Sequence, residues 1–147
     1  MLLIKGQIIV LKMRVNNCGT VLSSHPYIVI GINENDNTVE IAQIDSLKGK
    51  EYKAAKRSNK IIYADNPQET VIDEDSYVQL DNTLLVEYFD DLTQMRRQTD
   101  VLSLVKLTDL IDSYETYHKN NIIADTKQVY VDEQELRNMN QRLKRSD

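Results

Sequence analysis

The sequence is short of residues that announce chemistry on their own: one cysteine, four glycines, two histidines and no tryptophan. A lone Cys18 excludes a disulfide within the chain and suits a reducing compartment, so a cytoplasmic location is the expectation. Beside Gly19, and with no Cys/His partner near it, Cys18 reads as a loop residue rather than a reactive thiol. There is no Gly-rich phosphate loop, no Cys/His metal set and no Gly-x-Ser-x-Gly elbow, so neither cofactor nor metal is expected. No apolar run approaches the roughly 20 residues a membrane span needs. Met1 to Ile4 is apolar, but Lys5-Gly6 follows at once, which is not the layout of a secretory leader.

What is present is ordinary for one globular domain: 147 residues, 41% hydrophobic and 28% charged. The net charge of −5 argues against broad, non-specific nucleic-acid binding. It leaves room for a local basic groove, because steering depends on where charge sits. No internal repeat is visible.

The first two-thirds of the chain has β periodicity. Gly6 to Leu11 is a β-prone run after a glycine, and Arg14 to Ser24 is a turn-rich loop of about ten residues, longer than a plain hairpin needs. His25-Pro26 opens Tyr27 to Ile32, whose continuous apolar character predicts a central strand buried on both faces. After the Asn33 to Asn37 turn, Thr38 to Ile44 alternates with period two, so these two strands should form an antiparallel hairpin. Lys60 to Ala64 is a further short strand, and Thr70 to Ile72 a brief extended piece.

The stretch Asp73 to Tyr88 organises the rest. Tyr77 to Leu80 and Thr83 to Val86 flank Asp81-Asn82, which predicts two strands meeting at a tight corner with Asp81 offered at a strand end.

Beyond Tyr88 the period changes. Asp90 to Gln98 fits a short helix or loop. From Val101, residues Leu104, Leu107, Leu110, Ile111, Tyr114 and Tyr117 recur at helical spacing, with Thr99 or Asp100 able to cap. Gln128 to Val131 fits a late strand. Asp132 and Glu135 have capping-box spacing before the stripe Leu136, Met139 and Leu143. The expected fold is mostly β with α. A small curved antiparallel sheet or open β-barrel fills residues 1–121 with a packed closing helix, and a strand-plus-helix extension occupies 122–147.

Four segments in order resemble the MazF/PemK family of bacterial toxins, SH3-like β-barrels that cut single-stranded RNA. They are Gly6-Gln7-Ile8, His25-Pro26-Tyr27-Ile28-Val29-Ile30, Val39 to Ser46, and Asp75-Ser76-Tyr77-Val78-Gln79-Leu80-Asp81. The resemblance covers about residues 6 to 117 and implies an SH3-like open barrel, a homodimer and a small antitoxin partner. It also implies cleavage of single-stranded RNA, mRNA included, by attack of an internal 2′-hydroxyl. That reaction needs a base, an acid for the leaving 5′-oxygen and donors for the phosphorane charge.

By that resemblance His25, Ser46 and Asp81 are the catalytic candidates. His25 stands where the family has an arginine, Ser46 near its threonine or serine, and Gln79 where a second arginine would be; only Asp81 matches. A histidine with an ordinary pKa of about 6.5 still suits proton transfer near neutrality. Arg14, Lys48, Lys53, Arg57 and Gln79 are the RNA-binding candidates, and Arg14, Lys48, Arg57 and Arg96 are possible sources of the missing positive charge. Plainer roles stand beside these: His25 as a loop or capping residue, Ser46 and Asp81-Asn82 as turn formers, Lys48 to Arg57 as a solvated loop, and the tyrosines as core aromatics. The departures also admit a barrel that binds without cutting, with a protein target such as that of gyrase-poisoning toxins, or RNA. A housekeeping or mobile-element accessory role on the same barrel is a third possibility.

Overall fold

The computed structural model describes residues 1–14 and 22–143, and the side chains of Leu22 and Thr126 are outside the description. Strands β1 (Ile8–Arg14), β2 (Leu22–Asn33) and β3 (Thr38–Ser46) form an antiparallel meander. Next to β3 lies the long β5 (Ser76–Glu87), whose far edge is shared by β4 (Asn59–Ile62) and β6 (Gln128–Val131). All pairings are antiparallel except β5 with β6. The fold is mostly β with α, a six-stranded sheet curled into an open half-barrel of SH3-like kind.

Both faces of the sheet are buried, which explains the apolar run of β2. Tyr27 and Val29 point into one core and Ile28 and Ile30 into the other. Each fully buried aliphatic side chain contributes about 1.5–3 kcal/mol, so a central strand with apolar residues on both sides is strongly held. Pro26 lies inside β2 rather than at its start, paired with Val10. It is tolerated because β3 pairs with β2 only from Tyr27 onward, leaving one edge open at the residue without an N–H. The first loop is also shorter than expected, since β1 runs through Arg14 and β2 begins at Leu22. Most of it, with Cys18, lies outside the described residues.

Helix α1 (Leu104–Asn120) covers the second core with Leu107, Leu110, Tyr114 and Tyr117. It starts later than the spacing suggested. Asp100 instead accepts from Thr70 Oγ1, and the backbone N–H of Ser103, the residue just before the helix, donates to Glu69 Oε2 at 2.8 Å. That cap comes from a distant loop, so no local sequence signal could reveal it. Just before the helix, at Leu102, lies Gly6, which adopts φ +91°, and a Cβ there would lie 3.2 Å from the Leu102 nitrogen. A side chain at that turn would be strained and would part β1 from the helix.

The chain after Asn121 packs on the barrel. β6 pairs with β5 from Thr83↔Gln128 to Val86↔Val131. Helix α2 (Glu133–Met139) is capped by Asp132, whose Oδ1 accepts from Glu135 N at 2.8 Å. Leu136, Met139 and Leu143 join Leu11, Val29 and Ile41 in the first core. A short 3-10 turn, Asp90–Met95, adds Leu92 and Met95. Among the described residues no helix is long and apolar enough to cross a membrane.

The Asp81-Asn82 corner is a correction. β5 runs through it without ending. The bend is absorbed as a bulge: between Val78↔Ile44 and Thr83↔Ala42, residues 79–82 face Gln43 alone. The edge partner changes there from β4 to β6, and His118 Nε2 donates to the Leu80 carbonyl at 2.6 Å.

Candidate functional site

A cavity of about 590 Å³ opens between the sheet and the C-terminal segment. Its floor is Met13, Tyr27, Gln43 and Leu84, and its far wall is Val129, Val131, Glu135, Asn138 and Met139. Arg14, His25, Asn82 and Lys127 complete the lining. Strand alternation makes this floor: Tyr27 pairs directly with Gln43 across β2 and β3, so the two side chains stand together. The volume falls in the range of small-ligand sites, roughly 300–1,000 Å³.

His25 is wired into a chain of polar groups. Gln43 Nε2 lies 3.2 Å from His25 Nδ1 and 2.9 Å from Asp45 Oδ2. A carboxylate only accepts, so Asp45 calls for the amide NH₂ at that position, and the same nitrogen then donates to Nδ1. The ring proton belongs on Nε2, which is 2.8 Å from Ser23 Oγ. This assignment follows from the hydrogen-bond network.

Tyr27 has the opposite character. It is 5% exposed and lines the cavity. Burial first, and then the Asp45 carboxylate, push its pKa up to about 12. The group is therefore a neutral donor at the cavity floor. Its ring meets His25 edge-on, with centroids 6.5 Å apart.

The structure brings together only some of the residues proposed from sequence. His25 and Arg14 both line the cavity. Asp81 reaches it indirectly, through an ion pair with Lys127 at 2.9 Å. Gln79 likewise touches the lining through Asn82, whose Nδ2 donates to Gln79 Oε1 at 3.1 Å. Ser46, Lys48, Lys53 and Arg57 do not line it. Ser46 Oγ accepts from Lys48 N at 3.1 Å, which is a turn role, and Lys53 lies in the 3-10 turn Glu51–Ala55 with its ammonium 5.5 Å from the Tyr52 ring centroid.

Sequence reasoning passed over Gln43, Asn82, Lys127, Glu135 and Asn138. Gln43 had a usable signal, because the period-two pattern placed it with Asp45 on the wet face of β3. The residues after Asn121 had none.

The second histidine is structural. His118 stacks on Tyr114 with centroids 4.0 Å apart. Tyr114 in turn donates to Glu40 Oε2, which also accepts from Thr83 Oγ1 at 2.9 Å. Burial first, then the hydrogen bond to Glu40, raise the Tyr114 pKa. This cluster joins α1 to the sheet, away from the cavity lining. Among the described residues there is no group of His, Cys, Asp and Glu able to hold a metal.

The sequence matches no protein-family model and no curated protein.

Proposed function

We propose that this barrel is a single-stranded RNA endoribonuclease of the MazF/PemK toxin kind, acting as a homodimer and neutralised by a small antitoxin. The observation that supports it is the placement of His25 in a ligand-sized groove lined also by the cations Arg14 and Lys127. Two cations near a polar wall suit a phosphodiester, and His25 is the group there able to exchange a proton. For 2′-hydroxyl attack the base must accept on a ring nitrogen. That requires Nε2 to exchange its proton for one on Nδ1, with the Gln43 amide turned to receive it. The nucleophile's proton then passes to Nε2, the 2′-oxygen bonds to phosphorus as the bond from phosphorus to the 5′-oxygen breaks, and the imidazolium returns that proton so that the 5′-oxygen leaves as an alcohol. Exposed Leu104 and Val105, beside Val101, Leu2 and Ile4 at the Gly6–Leu102 contact, offer apolar surface that a second copy can cover.

One observation favours binding without cleavage. In the resting network Nδ1 accepts from Gln43 and Nε2 carries the proton, so neither nitrogen is free to act as a base. Incubating the protein with a long single-stranded RNA and mapping the ends decides between the two. Discrete cuts lost in His25→Ala support the nuclease. Retention of intact RNA by the folded, antitoxin-free protein moves the assignment to a binding barrel, and no retention removes RNA altogether.

A further inference from the structure

The strand β5 carries no cation at the place where the resemblance calls for an arginine, because Gln79 stands there. Gln79 lies in the bulge of residues 79–82, and its Oε1 accepts from Asn82 Nδ2 at 3.1 Å, a contact within the bulge itself. In the same bulge Asp81 meets a cation from far along the chain, with Oδ2 2.9 Å from Lys127 Nζ. Lys127 comes just before β6, whose first residue, Gln128, pairs with Thr83. Strand register therefore sets the lysine beside the bulge. The charge missing from β5 is supplied by the C-terminal segment, outside the stretch that resembles the toxin family.

Lys127 lines the groove with His25, whereas Asp81 stands behind the lining and is only 14% exposed. Among the described residues the carboxylate of Asp81 is the one partner of the ammonium. An ammonium has three donors, so others remain for a ligand. Two physical consequences follow from the pairing. A lysine side chain gives up as much as about 2 kcal/mol of rotamer entropy when it is fixed, and the Asp81 contact holds it before any ligand arrives. The carboxylate also offsets the long-range pull of the ammonium on every phosphate, leaving mainly short-range donation. Such a donor gains most where negative charge develops, on the non-bridging oxygens of a five-coordinate phosphorus, and least on the resting diester.

We propose that Lys127 is a catalytic residue of the groove, donating to a non-bridging phosphate oxygen as charge builds there, and that Asp81 is its positioning residue rather than an acid or base. This rests on the nuclease reading above and assigns the transition-state cation within it. The ammonium keeps its proton and none of its own bonds changes. The proton that travels from the 2′-oxygen to the 5′-oxygen stays the task of His25.

The test is steady-state cleavage of a short single-stranded RNA by the full chain and by Lys127→Ala, Lys127→Arg and Asp81→Asn, with thermal unfolding of each. The pair is partly solvated, so every variant should unfold near the parent temperature. Lys127→Ala should lower kcat about 100-fold and leave KM within about threefold of the parent. Lys127→Arg keeps the charge and the donors and should restore most of the loss. Asp81→Asn unmasks the ammonium and loosens it, so KM and kcat should both fall, each on the order of tenfold. Unchanged kcat in Lys127→Ala, with or without a raised KM, overturns the proposal and leaves the nuclease standing. Activity lost together with unfolding temperature, and not restored by arginine, also overturns it, since the lysine then only holds the wall. Parental kcat and KM in Asp81→Asn overturn the positioning role. A folded parent that cuts no RNA removes both the nuclease and this assignment.

Discussion

Asn140 closes both backbone hydrogen bonds of Lys12, a residue 128 positions earlier in the chain. Its Oδ1 accepts from Lys12 N at 2.7 Å and its Nδ2 donates to Lys12 O at 3.1 Å. β1 is an edge strand of the sheet, and Asn140 occupies the place of a neighbouring strand there. Farther along, Arg97 N donates to Ile8 O at 2.8 Å, so the edge is covered at two points. A covered edge resists pairing with other chains.

Asn140→Ala should therefore destabilise the fold by about 2–3 kcal/mol, because it leaves two backbone groups without partners. Urea unfolding measures this. The exposed Leu104→Ala serves as a control and should change stability by less than about 0.5 kcal/mol. Equal midpoints for the two variants would show that water replaces Asn140 without loss.

Leu136 is fully buried in the core shared by β1, β2 and β3. Leu136→Ala should cost about 2–5 kcal/mol. Deleting residues 122–147 removes β6 and α2 together, and with them Val131, Leu136, Met139 and Leu143 from the first core. That variant should lose cooperative thermal unfolding, and a sharp transition at the full-length temperature would show the extension to be dispensable.

The Lys127–Asp81 pair is partly solvated, with side chains 47% and 14% exposed. Asp81→Ala should alter stability by less than about 1 kcal/mol. It releases Lys127, so RNA should be held more tightly, with a steeper salt dependence of binding. If Asp81 takes part in cleavage, cutting falls while binding strengthens. Cutting that rises along with binding removes Asp81 from the catalytic set.

Tyr27 predicts a specific alkaline response. Its folded-state pKa is raised from 10.0 to about 12, so the neutral phenol favours the fold. That contribution is complete below the unfolded value and is lost as pH rises from about 10 toward about 12, amounting to about 2–3 kcal/mol. Urea midpoints at about pH 9 and about pH 11 should fall less in Tyr27→Phe than in the parent. Tyr77 and Tyr114 are also raised, chiefly by burial, so some alkaline decline remains in the variant. An identical decline in both proteins would mean that Tyr27 ionises as a solvated tyrosine does.

Local pattern was enough for most elements. The apolar run Tyr27 to Ile32 gave a central strand, the alternation of Thr38 to Ile44 its hairpin partner, and Leu107, Leu110, Tyr114 and Tyr117 the buried face of a helix. Each rests on a period of 2 or 3.6 residues, which neighbouring side chains impose whatever the rest of the chain does. The bend at Asp81-Asn82 was legible too, as an Asx pair between β-prone runs, but its form was not. Whether such a break ends a strand or bulges within it depends on the facing strand, and here Gln43 of β3 alone faces residues 79–82.

By itself the sequence determined a curved, mostly β domain with a helix behind it and His25 beside the central strand. Only the tertiary structure decided that Tyr27, Gln43 and His25 share a floor, that residues after Asn121 form the opposite wall, and that Ser46 and the basic loop lie off the cavity. Those relationships join distant parts of the chain, from Met13 to Met139, through strand register and helix docking. Register is fixed by which faces can be buried together, a property of the whole packed sheet that no local run of residues contains.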